Sequence, residues 1–122
     1  MTIAPTRTWV PVCTLTDLVP GRGVAALIDD TQVAIFRLPS DGEDPAGAQR
    51  ALRAVGNIDP FGRAAVMSRG LVGDRGGEPT VASPLLKQVF SLNTGRCLDD
   101  EGVRLPVYGI RVDGDVVQVS LT

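Results

Sequence analysis

Glycine and proline interrupt this chain so often that a long helix has little room to form. The 122 residues include 14 Gly and 9 Pro, and both residue types end regular elements and mark turns. The segments between them are short and rich in Val, Ile, Thr and Leu, a composition that favours strands. The spacing predicts an all-β fold, an antiparallel sandwich or barrel with strands of roughly five to seven residues and at most one helix.

Two pairs of neighbouring segments predict β-hairpins. Residues 105–113 and 115–121 alternate between apolar and polar side chains on either side of Asp113-Gly114, a residue pair typical of hairpin turns. Residues 23–29 and 32–38 form a second pair, joined by a short polar turn. Hairpins of this kind build antiparallel sheets, in agreement with the all-β prediction.

The remaining elements are predicted from the breaks that flank them. Residues 49–55 fit either a helical turn or a strand, since Ala, Leu and Arg favour helix locally. Residues 40–48 are acidic and rich in Gly and Pro, which predicts a flexible loop. The other predicted elements are strands at residues 8–13, 79–82 and 87–92 and a turn-rich segment at residues 71–77.

Length and charge restrict the classes of function that the chain can perform. A single domain over residues 1–122 is expected, and a chain of this size buries roughly two-thirds of its surface on folding. The net charge is −2 and Lys87 is the only lysine, so there is no basic patch for nucleic acid. No apolar run approaches the roughly 20 residues needed to cross a membrane, and no signal pattern precedes the first strand. We expect a cytoplasmic protein in which Cys13 and Cys97 are reduced, buried thiols.

The sequence contains no histidine, which removes the commonest general base and the commonest metal ligand. Catalytic arrangements of a nucleophile with histidine are therefore excluded. The acidic clusters lack the spacing of a calcium loop, and the glycine-rich residues 70–77 lack the pattern of a phosphate loop. We expect no catalytic residue and no bound metal in this chain.

Short motifs follow one another from residue 9 to residue 121 in an order that resembles a known family. They read WVPVC at residues 9–13, QVAIF at 32–36, SRGLVG at 68–73, FSLNTGRC at 90–97 and LPVY at 105–108. Together they resemble the Rieske-like small subunit of cytoplasmic NAD(P)H-dependent nitrite reductase. The resemblance implies a Rieske-like [2Fe-2S] domain fold with a loop-rich subdomain over about residues 57–97, and it favours a strand for residues 49–55.

The resemblance also places the four ligand positions of a Rieske cluster on residues that differ from the usual two Cys and two His. Asn57 and Asp59 occupy the first ligand loop, and Ser83 and Leu86 occupy the second. Iron in such a cluster favours thiolate and imidazole ligands, whereas amide and hydroxyl oxygens are hard neutral donors and a leucine has no lone pair. We therefore expect no iron–sulfur cluster in this chain.

The function implied by the resemblance is that of an accessory subunit. The large subunit of the complex would carry FAD, siroheme and a [4Fe-4S] cluster and reduce nitrite to ammonium. This chain would be non-catalytic and would stabilise or orient that partner. Two alternatives remain open, namely a Rieske-type ferredoxin that transfers electrons to an oxygenase and a free-standing β-domain with an unrelated binding role.

Side chains around the two ligand loops are candidates for contact with the large subunit. Basic residues there could pair with carboxylates of a partner. Leu86 has two open interpretations: it fills the space that a cluster would occupy, or it presents an apolar tip to the partner. The candidate contact residues are Phe61, Arg63, Arg69, Leu85, Leu86 and Lys87.

Overall fold

The computed structural model describes residues 8–39 and 45–121, and its regular structure is mainly antiparallel β-sheet. No helix within these two ranges is long and apolar enough to span a bilayer. The described elements are strands β1 (Val10–Thr14), β2 (Arg22–Ile28), β3 (Thr31–Arg37), β4 (Leu52–Gly56), β5 (Leu71–Arg75), β6 (Glu78–Ala82), β7 (Val89–Ser91), β8 (Gly109–Asp113) and β9 (Val116–Ser120), helix α1 (Pro45–Arg50), and 3-10 turns at Leu15–Asp17 and Met67–Arg69.

The strands form three sheets of three strands each, in the orders β1-β9-β8, β2-β3-β4 and β5-β6-β7. Every strand pair is antiparallel. The all-β prediction is confirmed, and so are both predicted hairpins, as β2-β3 and β8-β9. Asp29 and Asp30 form the turn of the first hairpin, both with positive φ.

Strand β3 lies at the centre of the molecule because both of its faces are buried. Ala34 and Phe36 belong to a first core shared with the β5-β6-β7 sheet. Val33 and Ile35 point the other way, into a second core shared with the β1-β9-β8 sheet. All four side chains are fully buried. A strand buried on both faces is apolar at consecutive positions, which explains the uninterrupted VAIF run.

Strand β4 extends both cores and ends where the candidate site begins. Leu52 and Ala54 lie in the second core, and Val55 lies in the first. Gly56 is the last residue of the strand, and its N–H donates to the carbonyl of Pro106 at 2.9 Å. The first candidate ligand position, Asn57, therefore starts directly from the central sheet.

The prediction of a turn-rich segment at residues 71–77 is wrong for most of its length. Leu71–Arg75 is strand β5, which pairs with β6, and the turn is confined to Gly76 and Gly77. Strand β5 is at the edge of its sheet and is mostly exposed. Its sequence therefore lacks the alternation of apolar and polar residues that predicts a strand, and the strand is recognised only by its backbone pairing with β6.

The predictions for residues 40–55 are only partly correct. Residues 40–44 lie outside the described part of the chain, but Pro45–Arg50 is helix α1 where a loop and the start of a strand were expected. Gln49 anchors this helix, since its side chain donates to the carbonyl of Ile110 at 2.8 Å and accepts from the N–H of Val112 at 2.8 Å. This contact with β8 is distant in sequence and could not be read locally.

Three other predicted strands are shorter than expected or shifted. Strand β1 is Val10–Thr14 in place of residues 8–13, and β7 is only Val89–Ser91 because Lys87 has a positive φ. Strand β8 starts at Gly109 in place of residue 105. The preceding segment runs towards β4, where the N–H of Tyr108 donates to the carbonyl of Ala54 at 2.9 Å.

A capping interaction at the 3-10 turn Leu15–Asp17 provides a test of stability against pH. The carboxylate of Asp17 accepts the backbone N–H of Thr14 at 2.9 Å and the hydroxyl of Thr14 at 2.9 Å. These hydrogen bonds, the backbone one first, lower the pKa of Asp17 below its ordinary value. A lowered pKa in the folded state stabilises the protein above the ordinary Asp pKa, and this stabilisation is lost as pH falls through the folded-state pKa.

We predict that Asp17→Asn lowers the free energy of unfolding at pH 7 and that the difference from wild type disappears as the pH falls through the lowered folded-state pKa of Asp17. Urea unfolding of both proteins over a series of pH values measures the effect. Thr14→Val removes only the hydroxyl and should give a smaller difference of the same sign. Identical pH dependence in wild type and Asp17→Asn would contradict the prediction.

Candidate functional site at the paired loops

Two loops meet at one end of the β5-β6-β7 sheet and contain the four residues to which the resemblance assigns the ligand positions of a cluster. The first loop, residues 57–66, follows β4, and the second loop, residues 83–88, joins β6 to β7. The 3-10 turn after the first loop leads directly into β5, where Leu71 pairs with Ala82 of β6. Both loops are therefore connected to the same end of the β5-β6-β7 sheet.

Asn57 is buried and ties the first loop to its surroundings. Its side-chain oxygen accepts the N–H of Ser68 at 2.7 Å, and its side-chain nitrogen donates to Oε1 of Gln32 at 3.3 Å. Its carbonyl also accepts the N–H of Met67 at 3.0 Å. Asn57 thus uses both ends of its amide within the chain, as a buried amide must.

Asp59 and Ser83 join the two loops directly. Both residues are buried, and the hydroxyl of Ser83 donates a hydrogen bond to Oδ2 of Asp59. The other carboxylate oxygen, Oδ1, accepts the N–H groups of Phe61 at 2.8 Å and Gly62 at 3.3 Å. Hydrogen bonds to an ionised acceptor are roughly twice as strong as neutral ones, so three donors offset much of the cost of burying this carboxylate.

Apolar contacts support the same junction between the loops. Phe61 packs against the buried Phe90 with ring centroids 6.2 Å apart and planes inclined at 49°. Gly62 lies against the side chain of Leu85, since a Cβ on Gly62 would be 2.7 Å from the Cδ1 atom of Leu85. Phe61 is therefore partly buried against the first core, which leaves only part of it available to a partner.

Leu86 does not fill the space between the loops, since 57% of its surface is exposed. Of the two interpretations left open by the sequence, the exposed apolar tip is the one that the geometry matches. Leu85 and Ile58 are also exposed to a large extent. Sequence reasoning missed Ile58, although its place between the buried Asn57 and Asp59 is the alternation that predicts an outward side chain.

The basic candidates lie on the exposed side of the loops and the adjoining turn. Arg63, Arg69 and Lys87 are all exposed. Arg63 and Lys87 have φ of 57° and 63°, in the left-handed region that favours glycine. The N–H of Arg63 donates to the carbonyl of Asp59 at 2.7 Å, and that of Lys87 to the carbonyl of Ser83 at 3.1 Å. Tight turns around the two cross-linking residues thus set these conformations.

The residues at the four ligand positions do not fit a [2Fe-2S] cluster. Asn57, Asp59 and Ser83 are oxygen donors already used in hydrogen bonds within the chain, and Leu86 has no donor atom and points to solvent. Such a cluster needs four thiolate or imidazole ligands. Cys13 and Cys97 do not supply them, because Cys97 lies in the first core and Cys13 packs against the second.

Catalytic groups are not assembled elsewhere in the described residues. No three Asp, Glu or Cys side chains converge on a possible metal position within residues 8–39 and 45–121. Burial, with a smaller effect of Asp17, raises the pKa of the Cys13 thiol, which makes it a poorer nucleophile. A surface depression of about 540 Å³ beside β5 is lined by Arg53 and Asp74 among small and apolar residues, without a nucleophile–base pair.

Comparison with known proteins gives consistent matches over nearly the whole chain. The sequence model of the Rieske-like [2Fe-2S] domain family matches residues 8–120. The NADH nitrite reductase small subunit of Salmonella typhimurium is 44% identical over 111 residues, which cover 91% of this chain and 95% of that protein. A crystal structure of an NADH-dependent nitrite reductase small subunit from Mycobacterium tuberculosis has a TM-score of 0.84 and 50% identity, covering 97% of this chain and 98% of that one.

Two further matches bear on partners and alternatives. A segment of the NAD(P)H nitrite reductase large subunit of Klebsiella oxytoca is 36% identical over 116 residues, covering 95% of this chain but 11% of that protein. The ferredoxin of carbazole 1,9a-dioxygenase from Nocardioides aromaticivorans has a TM-score of 0.73 and 25% identity, covering 94% of this chain and 99% of that one. The fold is therefore shared by nitrite reductase small subunits and by a ferredoxin.

We predict that Ser83→Ala lowers the free energy of unfolding by about 1–3 kcal/mol, because it leaves Oδ2 of the buried Asp59 without its donor. Chemical denaturation measures the change. Ser68→Ala is the matched control, since the N–H that bonds Asn57 belongs to the backbone and is retained. In an Asp59→Asn background the cost of Ser83→Ala should fall, because the partners are coupled. Equal costs for Ser83→Ala and Ser68→Ala would contradict the cross-link.

Proposed function

The chain belongs to the Rieske-like [2Fe-2S] domain family, and from this premise we propose that it is the small, accessory subunit of an NAD(P)H nitrite reductase. The reaction of the complex is the reduction of nitrite to ammonium in the cytoplasm. The high identity over almost the full length of the Salmonella typhimurium small subunit supports this assignment. The large subunit performs the chemistry, and this chain contributes by contact.

The accessory role is supported mainly by the residues that stand at the four candidate ligand positions and by the hydrogen bonds that they make. Ser83 is hydrogen-bonded to Asp59, and Asn57 is hydrogen-bonded to Gln32 and to the backbone of Ser68, whereas Leu86 is exposed. A chain of this kind has no centre that accepts or donates an electron, and without histidine it lacks the usual proton-transfer group. FAD, siroheme and a [4Fe-4S] cluster are accordingly assigned to the large subunit, and no cofactor to this chain.

Association with the large subunit is supported by the match to the Klebsiella oxytoca protein. There, a segment related to nearly all of this chain is part of the large-subunit polypeptide itself. A domain joined covalently to a partner is held at a high effective concentration beside it. We infer that the two separate chains make a non-covalent complex of the same two parts.

A ferredoxin that transfers electrons to an oxygenase is the second candidate, since the Nocardioides ferredoxin has the same fold. Electron transfer would require a cluster in this chain. The donors at Asn57, Asp59 and Ser83 are chemically unsuited to it and are engaged elsewhere. The structural likeness therefore supports a common fold more than a common activity.

Association is tested by expressing this chain with the large subunit of the NAD(P)H nitrite reductase encoded in the same genome. We predict that the two chains co-elute in sizing chromatography and that the complex reduces nitrite with NADH or NADPH more stably than the large subunit alone. An unrelated ferredoxin of similar size is the control. A large subunit that is fully active and soluble alone, and does not associate with this chain, would contradict the proposal.

Cluster content is tested by anaerobic reconstitution of this chain with iron and sulfide. We predict a colourless protein without bound iron and without visible charge-transfer absorption, because the ligand positions cannot hold the metal. A cluster-binding ferredoxin treated in parallel shows that the procedure works. A brown protein with stoichiometric iron would favour the ferredoxin alternative.

A further inference from the structure

The tip of the two loops exposes apolar side chains. Ile58, Leu85 and Leu86 are 48%, 47% and 57% exposed, and they lie on loops joined by the hydrogen bond from Ser83 to Asp59. Single exposed apolar residues are common on protein surfaces. Three of them on two short, cross-linked loops are a local concentration, which is typical of a binding surface.

The charges on these loops are arranged differently from those of the chain as a whole. The chain carries a net charge of −2, but the exposed ionisable residues of the two loops are Arg63 and Lys87. The one carboxylate of the loops, Asp59, is buried and bonded to three donors. The exposed side chains of the two loops therefore combine three large apolar residues with two cations.

The backbone at both cations is held in a conformation that glycine would adopt at lower cost. Four non-glycine residues in the described part of the chain have a positive φ, and two of them, Asp29 and Asp30, form the turn of the β2-β3 hairpin. The other two are Arg63 and Lys87. Strained backbone positions cluster at ligand-binding and switch regions, so these two turns are candidates for such a role.

From these observations we propose that the tip surface, formed by Ile58, Leu85 and Leu86 with Arg63 and Lys87, binds the large subunit. This inference rests on the proposed function and adds the surface through which it acts. The complementary partner surface is an apolar depression flanked by Asp or Glu side chains, because apolar contact supplies affinity and opposite charges supply orientation and a faster encounter rate. The Asp59–Ser83 cross-link holds the tip in one arrangement before binding, which reduces the entropy lost on association.

The experiment is an isothermal titration calorimetry measurement in which variants of this chain are titrated into the purified large subunit. Leu86→Ser is expected to raise the Kd about tenfold or more, as truncation of a central interface side chain does. Arg63→Gly and Lys87→Gly are expected to weaken binding and to reduce its dependence on salt concentration. Both glycine variants suit the local backbone, so their thermal midpoints should not fall.

Val116→Ser is the matched control for removal of an exposed apolar side chain. Val116 is 38% exposed and pairs with Thr14 and Asp113 in the β1-β9-β8 sheet. That sheet packs on the second core, whereas the two loops adjoin the β5-β6-β7 sheet and the first core. Val116→Ser should therefore bind the large subunit with the wild-type Kd.

The outcomes separate this inference from the proposed function. Wild-type chain that does not bind the large subunit would overturn the proposed function itself. Wild-type binding that is unchanged in Leu86→Ser, Arg63→Gly and Lys87→Gly would overturn only the tip surface. A concentration-dependent dimer of this chain that Leu86→Ser abolishes, with unchanged binding to the large subunit, would assign the tip to a second copy instead.

Discussion

Burial of strand β3 on both faces is the constraint on which the rest of the structure depends. Ala34 and Phe36 pack in the first core and Val33 and Ile35 in the second, and full burial of such side chains contributes about 1.5–3 kcal/mol each for the larger ones. The β5-β6-β7 sheet contributes to the first core and the β1-β9-β8 sheet to the second. The central sheet thus connects two layers that share no core cluster, and the first core sets where the two loops meet.

Where the two loops meet, a hydrogen bond between side chains holds them together. A cluster with ligands from both loops would link them in the same way. Asp59 and Ser83 are 24 residues apart in sequence and are joined while both are buried. Burying a carboxylate costs free energy unless it accepts hydrogen bonds. Separating the two loops would remove the Ser83 donor from Asp59, so this hydrogen bond stabilises the paired arrangement. The two loops are thus joined by side chains of the chain itself, which is the observation on which the proposed accessory role rests.

Local patterns predicted the hairpins because turn residues and alternation lie within a few positions of one another. The edge strand β5 and helix α1 were not predicted, since β5 is held by backbone pairing with β6, and Gln49 of α1 bonds residues of β8 more than sixty positions away. The resemblance assigned the candidate ligand positions to Asn57, Asp59, Ser83 and Leu86, and that assignment stays a prediction. It did not reveal that Asp59 and Ser83 bond each other, because no sequence pattern specifies which buried polar groups will pair.

The sequence alone determined the class of fold and excluded chemistry that requires histidine. Frequent Gly and Pro restrict it to short strands, and a chain without histidine and with two separated cysteines has no set of ligands for a Rieske cluster. Only the tertiary structure decided how the loops use those positions. Asp59 is buried with the Ser83 hydroxyl bonded to it, whereas Leu86 is exposed, and a hydrogen bond between residues so far apart in sequence exists only after both cores have brought distant segments together.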